Sequence, residues 1–153
     1  MAYCIDTSAL IECWTRSYPI DVLPGLWERL DAMTRSNELV APDEVLHELA
    51  KKEDELHKWV KQRTHMFLEL DDPIQAATRE ILSANQLLAK DFAQRTHADP
   101  FVIAVGRVRG LPIVTQEGPG SDKRPTIPYV CRILGLRTLT ILEFIREQGW
   151  TFQ

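Results

Sequence analysis

Short apolar segments alternate with longer amphipathic segments along the chain, and this alternation constrains the fold more than any other feature of the sequence. Strands that are separated by helices usually run parallel in a sheet that is covered on both faces. The sequence therefore predicts a single α/β domain over residues 1–153, a three-layer sandwich around a central, mainly parallel sheet. Five strands are predicted, at residues 3–5, 39–41, 66–70, 111–115 and 137–142.

The segments between the predicted strands carry the signals of helix starts and ends. Ser8 is placed to cap the first helix, and Gly110 is placed to stop the helix that begins at about Asp99. Helices are predicted over about residues 8–15, 24–34, 43–63, 74–90, 99–109, 127–134 and 143–148. The positions expected to be buried on the helix over 74–90 include Leu82, Leu87 and Leu88.

The N-terminus and the cysteines predict where the protein resides. The N-terminus has neither the basic region nor the long apolar stretch of a signal peptide, and the longest apolar runs are about as short as Phe101–Val105. A soluble protein without a membrane-spanning segment is therefore expected. Cys4, Cys13 and Cys131 form no CxxC pair, and any pairing leaves an odd thiol. This pattern suits a reducing compartment, so a cytoplasmic location is expected.

The charge of the chain is unevenly distributed, although its formal net value of -4 argues against a protein that coats polyanions generally. Residues 1–89 contain 9 Lys and Arg against 16 Asp and Glu, whereas residues 90–137 contain 8 against 4. The second segment could therefore face phosphate groups, and a solvated basic face without a partner is the alternative. Lys123 and Arg124 are the candidates for phosphate contacts.

Four carboxylates fall where predicted strands end or helices begin, namely Asp6, Glu48, Asp99 and Glu117. In a parallel sheet such positions lie at one edge, beyond the carboxyl ends of the strands. Four like charges in one place repel one another unless a divalent cation compensates them. Oxygen ligands without a Cys and His cluster suit Mg²⁺ or Mn²⁺, and such ions promote phosphodiester hydrolysis. The four acids therefore predict a metal-dependent nuclease site.

Each of these acids also has a purely structural interpretation. Asp6 and Asp99 could cap or electrostatically complement the helices that follow them. Glu48 has Lys52 four residues later, a spacing typical of an exposed helical ion pair. Glu117 could be a loop anion without a role. The hypothesis of a shared site therefore depends on the common placement of the four acids.

Two further acids compete for the same roles. Glu44 lies four residues before Glu48 and shares its helical face, although a position in the first helical turn also suits the helix dipole. Asp122 could replace Glu117, because the glycines of the intervening loop permit movement. The histidines show no ligand spacing and are interpreted as surface or helix residues; they are His47, His57, His65 and His97.

The acids lie in the segments CIDTSAL, VAPDEVLHEL, HADPFVIAVG and PIVTQE. Together these segments resemble the PIN-domain ribonucleases, above all the small VapC-like toxins of bacterial and archaeal toxin–antitoxin pairs. CIDTSAL resembles the opening strand of that family with its Asp-Thr-Ser turn, and PIVTQE resembles its last catalytic strand. The later segment TIPYVCRILGLRTLTILEFIRE resembles one branch of the family, in which an Ile-Pro-x-Val-Cys helix follows the fourth acid. The similarity spans almost the whole chain.

The resemblance implies a role for each matching acid. Asp6, Glu48 and Asp99 match the metal-binding acids of the family. Glu117 stands where the family more often has Asp, and its longer carboxylate would reach a metal directly or through water.

The resemblance also implies hydrogen bonds around the metal. Thr7 and Ser8 would orient Asp6 or a water at the metal. Thr115 would do the same beside Glu117.

The function implied by the resemblance is that of a Mg²⁺- or Mn²⁺-dependent endoribonuclease with a PIN-like fold, which hydrolyses RNA to leave a 5′-phosphate. The family also implies a homodimeric toxin that is restrained by a cognate antitoxin protein. The alternatives are a non-catalytic PIN-like module that binds RNA or protein, a nuclease for DNA, and a metal-dependent phosphatase. The phosphatase is disfavoured because Asp6 is followed by Thr7 and Ser8 instead of forming an Asp-x-Asp motif.

Overall fold

The centre of the fold is a five-stranded sheet in a computed structural model that describes residues 1–95 and 97–152. The strands are β1 at Tyr3–Ile5, β2 at Leu39–Pro42, β3 at Phe67–Leu68, β4 at Ile113–Val114 and β5 at Thr138–Leu139. Their order in the sheet is β3-β2-β1-β4-β5, and every pairing between neighbours is parallel. The predicted parallel sheet is therefore confirmed.

Nine α-helices within the described residues flank the sheet, which confirms the predicted three-layer α/β sandwich. They are α1 at Thr7–Ile11, α2 at Pro24–Arg35, α3 at Asp43–Ala50, α4 at Glu55–Lys61, α5 at Asp72–Ala84, α6 at Gln86–Arg95, α7 at Asp99–Arg109, α8 at Ile127–Leu134 and α9 at Ile141–Gln148. A π-helix at Glu12–Ser17 continues α1, and a 3-10 turn at Thr64–Met66 precedes β3.

The strand order places a crevice between β1 and β4. From β1 the chain moves outwards through β2 to β3, and it later returns to the other side of β1 to form β4 and β5. In a parallel sheet such a reversal opens a crevice at the carboxyl ends of the two strands. Asp6 follows β1 and Thr115 follows β4, and the Asp6 N–H donates to the Val114 carbonyl over 2.9 Å. The two side chains after these strands are thereby brought together.

Helix α7 packs closely on the sheet and holds its first turn at this crevice. The residues from Val102 to Val105 are fully buried. A Cβ atom at Gly106 would lie 2.6 Å from the Cδ1 atom of Ile113 in β4, so a larger residue would force the buried Ile113 side chain to shift. Gly110 ends the helix with a φ of 66°, as predicted. Asp99, the first residue of α7, is therefore held by a helix that is fixed along its length.

The single long helix predicted over residues 43–63 is wrong, because the chain forms α3 and α4 instead. Glu53 has a φ of 47°, and the Asp54 carboxylate accepts the His57 N–H over 3.0 Å as the cap of α4. A side chain that caps a new helix competes with continuation of the old one. The helix predicted over 74–90 is divided in the same way into α5 and α6, with Asn85 between them at a φ of -130°.

Two local predictions also need correction. Asp6, and not Ser8, caps α1, and its carboxylate accepts the Ser8 N–H. Leu87 was predicted to be buried but is 46% exposed, whereas Leu88 beside it is buried. The break at Asn85 starts a new helix and changes which leucines face the core.

The structure also describes the three cysteines and the length of each helix, on which the predictions about thiols and membrane spans depend. Cys4, Cys13 and Cys131 are all buried free thiols. Burial raises the pKa of Cys13 and of Cys131 to about 12, so neither thiol is a nucleophile near neutral pH. Within the described ranges, no helix is long and apolar enough to cross a membrane.

Candidate metal centre

Three carboxylates meet at the crevice between β1 and β4. One oxygen of each of Asp6, Asp99 and Glu117 lies within 4.8 Å of the other two. They come from the end of β1, the start of α7 and the segment after β4, so three separate elements supply the cluster. The side chains line a pocket of about 220 Å³. Such an arrangement of oxygen ligands is close enough to bind one metal ion.

Asp6 is held in place by two hydroxyl groups. Its Oδ2 atom accepts hydrogen bonds from Ser8 Oγ over 2.6 Å and from Thr115 Oγ1 over 3.1 Å. The side chain is buried, and both donors engage the same oxygen. The Asp6 side chain is therefore held in a fixed orientation at the edge of the pocket. Ser8 contacts Asp6, the acid that the resemblance assigned to it, whereas the Thr115 hydroxyl, which the resemblance placed beside Glu117, donates to Asp6. Their roles around a metal stay predictions.

Glu117 is anchored between β4 and α8. Its Oε1 atom accepts the Ile127 N–H at the start of α8 over 2.9 Å. Its own N–H donates to Thr115 Oγ1 over 3.2 Å. A carboxylate at a helix N-terminus is favoured by the helix dipole, so α8 helps to fix this acid in the cluster.

Two carboxyl groups of the cluster, those of Asp6 and Glu117, hold protons more tightly than free acids. Burial, and then the negative charge of Asp99, raise the pKa of Asp6 from 3.8 to about 7, against the hydrogen bonds from Ser8 and Thr115. Burial and the charge and hydrogen bond of Asp99 raise the pKa of Glu117 from 4.5 to about 9. Like charges that are forced together in this way are stabilised by a divalent cation.

Glu48 lines the same pocket but lies outside the three-carboxylate cluster. Its Oε1 atom accepts the Ala98 N–H over 2.8 Å and the Thr7 hydroxyl over 3.2 Å. Glu48 therefore ties α3 to the residue that precedes Asp99. The Thr7 hydroxyl contacts Glu48 and not Asp6, which differs from the arrangement that the resemblance implied. Direct metal binding by Glu48 stays a prediction.

The two competing acids lie away from the cluster. Asp122 is exposed, and Glu117 is the loop acid that joins the group of three within the described residues. Glu44 contacts His47 on α3, with 3.3 Å between Oε2 and Nδ1. Neither competitor lines the 220 Å³ pocket.

A larger groove of about 530 Å³ adjoins the acidic pocket and shares Asp99 and Glu117 with it. Among the described residues, the exposed cations Lys90, Lys123 and Arg124 line the groove, together with a further acid, Asp91. The two residues that the sequence nominated for phosphate contacts thus lie next to the acids. A chain of phosphates could reach the acidic cluster through a groove with this charge.

A family model matches nearly the whole chain. It is described as a domain of unknown function (DUF4411), and the match covers residues 3–152. The chain belongs to this family. All residues of the acidic cluster lie within the DUF4411 match. No curated protein matches the chain.

His97 of the DUF4411 domain is a pocket residue that the sequence interpretation missed. It was grouped with surface and helix residues, but it is 7% exposed, precedes α7 and lines the acidic pocket. Its Nε2 atom lies 3.0 Å from Asp91 Oδ2, and its Nδ1 atom lies 3.5 Å from Asp99 Oδ1. The ring therefore connects α6 to an acid of the cluster. The sequence held one indication of this role, because His97 lies only two residues before Asp99, a predicted metal ligand.

Replacing His97 with Leu is expected to weaken Mn²⁺ binding by about 10-fold or more, because partners of this kind orient metal ligands. His97→Gln keeps a polar group between the two acids and is expected to retain most of the affinity. Titration calorimetry of the folded variants measures both effects. The control is His47→Leu on the exposed side of α3, which should bind Mn²⁺ normally. Equal loss in the Leu and Gln variants would contradict this positioning role.

Proposed function

We propose that this DUF4411 protein is a divalent-metal-dependent endoribonuclease. The observation that carries the proposal is the convergence of Asp6, Asp99 and Glu117 at the carboxyl edge of a parallel sheet, with ligand oxygens within 4.8 Å of one another. Enzymes of many kinds place their reactive groups at this edge. The acids would act there on a phosphodiester bond of RNA.

The residues present fit Mg²⁺ or Mn²⁺. The three acids offer hard oxygen ligands. Burial, and then the negative charge of Asp99, raise the pKa values of Asp6 and Glu117, and a small divalent cation would offset both effects. When bound, such an ion polarises a phosphoryl oxygen and lowers the pKa of water. Asp6, Asp99 and Glu117 would hold the ion.

The surrounding residues would keep the acids in position. Ser8 and Thr115 donate to Asp6 and fix its orientation. Glu48 accepts the Ala98 N–H and so fixes the start of α7 from which Asp99 projects. Preorganised ligands of this kind do not have to move during the reaction, which lowers its barrier.

The groove beside the cluster supports a polymeric substrate. Its exposed cations, Lys90, Lys123 and Arg124, line the groove that also contains Asp91, Asp99 and Glu117, but they do not line the 220 Å³ acidic pocket. This separation suits a strand with several phosphates, of which one reaches the acids while its neighbours lie against the cations. A small phosphate ester would not need the second set of charges.

The resemblance to PIN-domain toxins extends the proposal to the biological role. We infer a cytoplasmic, homodimeric toxin whose activity is blocked by a cognate antitoxin protein. An arginine of the antitoxin would suit the acidic pocket, because a guanidinium group pairs with two carboxylate oxygens at once.

Incubation with Mn²⁺ or Mg²⁺ is expected to produce discrete new 5′-phosphate ends in total RNA from the host, and EDTA is expected to abolish them. Sequencing of the 5′ ends measures the cleavage. DNA of the same sequence as the cleaved RNA should remain intact, and the Asp99→Asn variant is the matched control. Identical end maps with and without metal, from folded protein free of antitoxin, would contradict the nuclease and favour the non-catalytic binding module.

A further inference from the structure

The groove beside the acidic cluster combines cationic and apolar surface with three acids, which are Asp91 and the cluster residues Asp99 and Glu117. One wall is formed by α6 and the other by the loop that precedes α8. The side chains that line it between the cations include Leu87, Leu88 and Pro125. At about 530 Å³ it falls within the roughly 300–1,000 Å³ range of small-ligand sites.

Leu87 is the unusual feature of this groove. It is 46% exposed although Leu88 beside it is buried, so the core does not require it. Its exposed surface lines the groove together with Leu88 and Pro125, beside the cations of the opposite wall. It offers a contact for a flat apolar group that is attached to an anion.

The opposite wall presents its cations on a braced turn. Ser121 and Arg124 exchange two backbone hydrogen bonds of 3.1 Å each. The Thr126 hydroxyl donates to the Gly118 carbonyl over 2.8 Å and closes the loop across its base. Lys123 and Arg124 are thus held beside the groove by local structure.

We propose that this groove binds one unpaired nucleotide of the RNA substrate, next to the phosphodiester bond that reaches the acidic cluster. The base would lie against Leu87, Leu88 and Pro125, and its phosphate would lie near Lys123 and Arg124. Gln94, which also lines the groove, offers an amide to the edge of the base.

The combination of apolar and cationic lining favours a nucleotide as the occupant. The base supplies an apolar face, the phosphate complements the cations, and both belong to one residue of the substrate. A base bound inside the groove would turn its edge towards Gln94 and the groove walls, and it would therefore not be paired with a complementary strand. The proposal rests on the proposed ribonuclease function, and it adds that the enzyme selects single-stranded RNA at this position.

A binding experiment in EDTA tests the nucleotide site without cleavage. A labelled single-stranded RNA hexamer is expected to bind the wild-type protein about tenfold more tightly than a blunt duplex of the same sequence or a hexamer with abasic residues. Fluorescence anisotropy at fixed salt measures the three affinities. Equal affinity for the intact and the abasic hexamer would overturn the proposal.

A variant pair assigns the binding to the groove. Leu87→Gln should weaken hexamer binding about tenfold without a change of charge, because the apolar contact of the leucine with the base is lost. The control is Ile133→Gln, which alters a side chain that is 61% exposed on α8 and outside the groove and should bind normally. Thermal unfolding verifies that both variants fold.

The possible results distinguish failure of the nucleotide-site proposal from failure of the proposed ribonuclease activity. Normal hexamer binding by Leu87→Gln would overturn the nucleotide site and favour a protein segment as the occupant, even where metal-dependent cleavage is observed. Loss of binding in that variant supports the site, even where the wild-type protein cleaves no RNA with Mn²⁺.

Discussion

Replacing Asp99 with Asn is expected to lower the rate of metal-dependent RNA cleavage by about 10³-fold or more. The change removes one of three carboxylates whose oxygens converge within 4.8 Å. Loss of a ligand charge at such a site costs several kcal/mol of transition-state stabilisation, and about 4 kcal/mol corresponds to this factor. The cleavage rate at saturating Mn²⁺ and the Mn²⁺ affinity are the two measurements.

The fold of the Asp99→Asn variant should remain intact. Asp99 begins α7 but is not its N-cap residue, and Ala98 before it is held by Glu48. The lost dipole interaction is worth only about 0.3–1 kcal/mol. Asp122→Asn is the matched control, because this acid is exposed and lies outside the cluster. Retained cleavage in Asp99→Asn, or an equal loss in Asp122→Asn, would contradict the assignment of the metal site.

The metal-free protein is expected to lose stability as the pH rises, and a divalent metal should restore it. The folded-state pKa values of Asp6 and Glu117 are raised to about 7 and about 9, above their ordinary values of 3.8 and 4.5. The folded state therefore binds more protons than the unfolded state between these limits. The stability that these neutral acids contribute is fully present below about pH 4 and is lost as the pH rises through about 7 and about 9. Thermal unfolding with and without Mg²⁺ should show a metal-induced shift that grows with pH.

Glu117→Gln isolates this effect in one residue. Glutamine keeps an acceptor for the Ile127 N–H but cannot ionise. At pH 9 without metal, the variant is expected to unfold about 3–6 °C above the wild-type protein, which corresponds to about 1–2 kcal/mol. The same variant should gain little from Mg²⁺.

The control for this measurement is Glu44→Gln, which alters an acid outside the cluster. Its melting temperature should follow that of the wild-type protein at every pH. A Glu117→Gln difference of the same size at pH 4 and pH 9 would contradict the role of ionisation.

Much of the architecture could be predicted because the signals are local. Tyr3–Ile5 is a buried apolar strand that ends at an acid, and Gly110 permits the left-handed backbone that ends α7. The division of the segment over 43–63 could not be predicted in this way. Asp54 resembles any polar helix residue in the sequence, and only the folded chain uses it as a cap.

The candidate site was predicted in part for the same reason. Asp6, Asp99 and Glu117 each lie next to a strand or helix boundary that the sequence marks. His97 was missed because a single histidine carries no periodic signal, and its contacts with Asp91 and Asp99 join residues of different elements. The exposure of Leu87 was missed because it depends on where α6 begins.

The sequence by itself determined the strand and helix types, the parallel sheet and the acids at its edge, because apolar periodicity and capping residues act over a few neighbours. Only the tertiary structure decided that β4 lies beside β1, which brings Glu117 to Asp6. It also decided that Glu117 and not Asp122 joins the cluster. These outcomes depend on packing between segments that are about 100 residues apart in the sequence, such as those of Asp6 and Thr115. The helix and strand preferences of neighbouring residues do not indicate which distant segments pack together.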